Sequence, residues 1–320
     1  TVTSAAAATG VYLTNNKAVA LSSVASTTGN VDIRTTAGSI ALGAITATPG
    51  VVTLVAAASI TDGDATVDIT AASTSLTATA GAIDVDLSVD SITATAQTAI
   101  DLTNNKAVTL TSVTSTAGNI AITAAGALNA TSVSAAAGNV TLSATGATSD
   151  IVAGSVIASS TTGIAALLAG RSITDGGVTV DITAASASLT ATAGSIGSAL
   201  DAIDLSVDTV TSAAAATGVY LTNNKAVALS SVASTTGNVD IRTTAGSIAL
   251  GAITATPGVV TLVAAASITD GDALVDITAA SASLTATAGS IGSLADSLEL
   301  SVNTVTSAAA ATGVYLTNNK

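Results

Sequence analysis

The chain has 320 residues, a net charge of −13 and 48% hydrophobic types, and it contains no Phe, Trp, Cys, Met or His. That excludes disulfides, thiolate nucleophiles, Cys or His metal ligation and any His-based catalytic triad. Seven basic residues against twenty acidic ones also oppose binding to nucleic acid or anionic lipid, which needs clustered Lys and Arg.

Charged residues make up 8% of the chain, against about 25% in a typical soluble domain. The mean hydropathy of +0.70 supplies enough apolar surface to offset ordering entropy, so an ordered chain is expected. The only aromatics are Tyr12, Tyr220 and Tyr315. Apolar runs are broken every few residues by Thr, Ser, Asn or Asp; the longest, 164–170, falls well short of the roughly 18–20 residues of a membrane helix. Three tyrosines do not make the aromatic girdles of a membrane barrel. No membrane insertion is therefore expected.

From the N-terminus, residues 5–8 are four alanines, too few to nucleate a helix, and are read as a narrow corner that admits only small side chains. Gly10, Gly29 and Gly50 then open the steps TGV, TGNV and PGVV, 19 and 21 residues apart. Between such turns the sequence alternates with period two, which predicts short strands at 31–34 (VDIR) and 39–42 (SIAL). Further on, AGNI at 117–120 and AGNV at 137–140 lie 20 residues apart and open strands at 120–123 and 140–143. Residues 135–137 are read as a second Ala corner. Val, Ile and Thr, the strand formers, dominate throughout.

Larger repeats enclose this fine period. Residues 1–65 are identical to 209–273, and 1–17 recur again at 304–320. The tag LTNNK stands at 13–17, 102–106, 221–225 and 316–320, in steps of 89, 119 and 95 residues. SITDG stands at 59–63, 172–176 and 267–271, and VDITAAS at 67–73, 180–186 and 275–281. From LTNNK to SITDG the offset is 46, 70 and 46 residues, so the second unit has gained 24. A globular core would resist such a gain, whereas a stack of coils absorbs one more coil.

The expected fold is all-β, a parallel β-solenoid (β-helix) of about 20-residue coils grouped in larger units of about 89–119 residues. Roughly fifteen coils rising about 4.8 Å each would span about 70 Å. Val, Ile, Leu and Ala are expected inside, with Thr, Ser, Asp and Asn outside. The array is read as continuous over 1–320, with units near 1–89, 90–208 and 209–303 and a new one starting at 304–320. Because it begins and ends at one repeat phase, it is expected to be a segment of a longer chain. The alternative weighed is a string of immunoglobulin-like sandwiches of about 90–95 residues. Against it stand the 20-residue period, the step that changes by one coil, and the lack of a core Trp or tyrosine corner.

The motifs AGNVTLSATG (137–146), GNVDIRTTAGSI (29–40) and AGNIAITAAG (117–126) resemble the β-helical repeats of filamentous-haemagglutinin-like exoproteins, giant secreted bacterial surface proteins. The resemblance implies a rigid extracellular rod at the bacterial surface, used for adhesion, a filament or a coat. On that reading the chain is no enzyme and is a structural repeat region, or the stalk of an adhesin whose binding tip lies elsewhere. Self-association along or beside the rod is expected, with a cell-surface or polysaccharide ligand as a further partner.

The metal candidates are Asp62 and Asp64 in SITDGDA and their repeats Asp270 and Asp272, since hard oxygens on a turn suit calcium. Asp84, Asp86 and Asp90 form a second cluster. The competing reading is a solvated acidic face, because Asp-Gly is an ordinary turn pair. No other cofactor is expected. The six Thr-x-Thr pairs, beginning at Thr46/Thr48 and Thr77/Thr79, raise an ice-binding ladder, but their gaps of 16 to 97 residues do not give one pair per coil. LTNNK holds all four lysines and is read as a polar corner or as a repeated lateral contact.

Overall fold

The computed structural model describes residues 1–177, 179–271 and 274–320. Among them there are 36 strands and no helix. The chain forms two compact units, 1–149 with 156–159, and 150–155 with 160–320. Each is a parallel β-solenoid, and about fifteen turns are present in all.

Within the first unit one inward column shows the construction. Val19 pairs with Ile40, then Ile60, Ile83, Ile100, Ile120 and Val140 follow, each one coil further along. In the second unit Ile151, Ile173, Ile196, Val219, Val239 and Val260 form the same kind of column. Every paired strand described within a unit runs parallel, which is the solenoid pattern and not the antiparallel one of immunoglobulin sandwiches. The period-two alternation sends Val31 and Ile33 into the core and Arg34 to solvent, and the second copy does the same with Val239, Ile241 and Arg242. Aliphatic side chains, mostly Val and Ile, stack on one another up each unit, and their burial supplies the cohesion.

Coil length varies around the average. Ile83 and Ile100 are coil partners 17 residues apart, whereas Leu189 and Ala213 are 24 apart. The 24 residues gained between LTNNK and SITDG in the second repeat are thus the size of one coil. Register shifts between Ile92 and Thr93 and between Ala187 and Ser188 absorb single-residue differences.

The alanine runs depart from expectation. Ala5–Ala7 is a strand in register with Val24, Ala25 and Ser26, and the equivalent Ala213–Ala215 lies inside the strand Thr209–Ala215. Ala135 ends a strand, Val133–Ala135, while Ala136 and Ala137 do form the expected turn. The reason is packing: Ala213 and Ala135 point inward and are fully buried, Ala213 stacked between the inward Leu189 and Val232 of the adjoining coils.

The polar side chains are not all outside either. Asn104, Asn223, Asp68, Asp181 and Asp276 are at most 3% exposed.

Candidate functional site

Three carboxylate clusters recur, one per repeat. In the first unit Asp68 immediately precedes the strand Ile69–Ala78, and its backbone is fixed by Ile45 N donating to Asp68 O at 2.6 Å. One coil further on, Asp86 lies within Ile83–Ser88. The two residues bond reciprocally: Asp68 N donates to Asp86 O at 2.8 Å, and Asp86 N donates to Asp68 Oδ2 at 3.0 Å. Asp62, just after Ile60–Thr61, places its carboxyl within hydrogen-bonding reach of that of Asp68.

The second unit repeats this arrangement twice. Asp181 N donates to Asp204 O at 2.9 Å, Asp204 N donates to Asp181 Oδ2 at 2.8 Å, and the Asp175 carboxyl reaches that of Asp181. In the last copy Asp276 N donates to Glu299 O at 2.9 Å, and Glu299 N donates to Asp276 Oδ2 at 2.9 Å. There, one carboxylate oxygen from each of Asp270, Asp276 and Glu299 lies within 4.8 Å of the others.

Burying a carboxylate beside two more raises its proton affinity. Burial first, and then the neighbouring charges, push Asp68 and Asp276 up to about 7 and Asp181 up to about 8, against the opposing backbone N–H bond each accepts. Asp86, Asp204 and Glu299 are raised as well, again through burial and then nearby carboxylates. Three carboxylates this close carry heavy mutual repulsion unless a proton or a cation lies among them. Asp101 joins the acidic column in the first unit: it pairs in register with Asp84 and is raised by burial and by Asp84 and Asp86. A cleft of about 410 Å³ lined by Ala65, Val67, Asp86, Leu87, Thr103 and Asn105 opens beside the first cluster.

The candidates named from sequence are divided by this geometry. Asp62 and Asp270 belong to clusters; Asp64 donates its N–H to Asp62 Oδ1 at 2.9 Å and its charge adds to the rise at Asp86, but its own carboxylate is engaged locally. Its Oδ1 accepts from Thr66 N at 2.7 Å and Thr66 Oγ1 at 2.5 Å, which holds its carboxyl below the usual range. Asp272 lies outside the described residues. Asp86 joins the first cluster, Asp84 faces solvent on the outer column, and Asp90 pairs with Lys106. Sequence reasoning missed Asp68, Asp181 and Asp276. Their signal was present: each follows the Asp of SITDG by six residues in all three copies, flanked by apolar residues on both sides.

LTNNK has a defined architectural role. The first Asn of the tag turns inward at Asn104 and Asn223. Asn104 Oδ1 accepts from Val89 N at 2.9 Å, while its Nδ2 donates to Val89 O at 3.2 Å and Lys106 O at 2.9 Å. Asn223 does the same with Val207 and Lys225. The lysine of the tag folds back on the preceding coil: Lys106 pairs with Asp90 and Lys225 with Asp208, both at 2.7 Å. Of the Thr-x-Thr residues, Thr77 and Thr95 stack in register and continue to Thr114, a column of three threonines.

No protein-family model matches this chain, and neither a curated protein nor a solved structure is found to be similar to it.

Proposed function

We propose that this chain is a structural repeat region of a large secreted bacterial surface protein, serving as a rigid extracellular rod, fibre or coat. The supporting observation is that near-identical repeats build the same coil in both units. Gly10–Asn15 pairs with Asn30–Thr35 in the first unit as Gly218–Asn223 pairs with Asn238–Thr243 in the second. Parallel ladders satisfy the backbone and aliphatic columns cohere, so each coil needs only its neighbours. A repeated surface suits a scaffold, whereas an enzyme needs one concave site, and the reading assigns the chain no reaction. Leu200 and Leu294, 99% and 90% exposed in the equivalent turns 198–201 and 293–296, would supply repeated apolar points for lateral self-association.

Electron microscopy of the purified protein tests this. Thin continuous fibres with a meridional reflection near 4.8 Å support it. Short particles that neither assemble nor coat a surface, yet bind cells or polysaccharide, would overturn it in favour of an adhesin module.

A further inference from the structure

The Asp181 cluster contains an atom that its own fold leaves unexplained. Asp181 is fully buried, Oδ2 is used by Asp204 N, and the equally buried Oδ1 has no hydrogen-bond partner. A buried acceptor without a partner costs free energy, and a buried charge costs more. The Asp181 carboxyl lies within reach of the Asp175 carboxyl, and Asp204 stands on the coil beside it. Two further carboxylates, of Asp175 and Asp204, therefore press on the carboxyl that carries the orphaned oxygen.

We propose that Asp175, Asp181 and Asp204 form a binding site for a hard divalent cation of the calcium class, and that Asp62, Asp68 and Asp86 and then Asp270, Asp276 and Glu299 repeat it. Two oxygens bound to one calcium at about 2.4 Å lie no more than about 4.8 Å apart. Among the described residues only the copy of Asp270, Asp276 and Glu299 brings an oxygen from each of three carboxylates within that limit; the other two copies would have to draw their third carboxylate in on the ion. In that copy a second buried oxygen, Glu299 Oε2, also has no partner. The third copy replaces Asp by Glu while keeping the carboxylate, so the charge persists where the side-chain length changes. The reciprocal backbone bonds fix the central Asp and aim its free oxygen, which is the outer support a metal site needs. The cleft beside Asp86 gives an ion a route to the first copy. The site needs two adjacent coils, so an occupied site ties each coil to the next whatever the array is used for.

The test is calcium titration of the chelator-treated full chain by calorimetry, with terbium luminescence as a second readout. Three ions are expected per chain, with a rise in Tm on saturation. D181N keeps the acceptor for Asp204 N and should reduce the count to two. D175N should do the same, and its half-exposed position spares the core if D181N fails to fold. No calcium uptake at millimolar concentrations would overturn the proposal. So would uptake that is unchanged in both D175N and D181N, since the ion would then sit elsewhere on the acidic surface. A wild-type chain that takes up no calcium but is stabilised by D181N would show that a shared proton neutralises the cluster instead.

Discussion

Asn104 completes the backbone hydrogen bonding of Val89, accepting from its N–H and donating to its C=O across 15 residues of chain. The side-chain amide substitutes for a strand at a corner where the coil has none to offer. Both residues are fully buried, so the two Val89 groups have no water to turn to. Asn104→Ala should therefore destabilise the first unit by about 3 kcal/mol, read from urea denaturation. Asn105→Ala, at the exposed neighbouring position, should change stability by less than about 0.5 kcal/mol. Equal effects of the two would show that the Asn104 bonds to Val89 do not hold the coil.

Close backbone approach makes a second prediction. A Cβ on Gly237 would lie 1.7 Å from Thr217 O on the coil beside it, and one on Gly29 would lie 1.8 Å from Thr9 O. Backbone cannot step aside as a flexible side chain does. Gly237→Ala should cost about 3 kcal/mol in denaturant unfolding. Gly63→Ala, where nothing lies within 4 Å, should be neutral within about 0.5 kcal/mol.

The solenoid was legible in the sequence because alternation and stacking are both periodic. The pattern VDIR at 31–34 states which side chains face in, and its copy at 239–242 states it again. What was illegible was which polar residues break the rule. Asn104 and Asn105 are adjacent and chemically identical, yet only the first is buried. Asp68 and Asp64 differ no more in kind. Their fates are set by the neighbouring coil, by Val89 for Asn104 and by Asp86 for Asp68. Coil length runs from 17 to 24 residues, so that neighbour cannot be found by counting. The Asp-Gly turn was visible, but the obvious pairing of its carboxylate with that of Asp64 was not the one the fold uses.

The lysines of the repeated tag should matter far less than the asparagines. Lys106 and Asp90 are 39% and 72% exposed, so their attraction is screened and offset by side-chain ordering. Lys106→Ala and Lys225→Ala should each cost less than about 1 kcal/mol, and raising the salt concentration should shrink the difference. A loss as large as that of Asn104→Ala would give the ion pair a structural role its exposure does not support.

In the ion-free protein, acid should stabilise the fold over a wide range. The folded pKa values of about 7 for Asp68 and Asp276 and about 8 for Asp181 lie above the unfolded value of about 3.9. Between those limits the folded chain holds protons that the unfolded chain has released. Stability is then fully present below about pH 4 and is lost as pH rises through about 7 to 8. Opposing this at the acid end, Asp150 is lowered by its hydrogen bonds to Arg171, and its contribution disappears as pH falls below the ordinary carboxylate range. Thermal melts in chelator should thus show Tm rising as pH is lowered from 8.5 to about 5. Asp181→Asn, which is neutral at every pH, should flatten part of that slope and gain most at alkaline pH. A Tm that falls steadily from pH 8.5 to 5 would mean that the central aspartates are ionised in the fold and already balanced by something other than a proton.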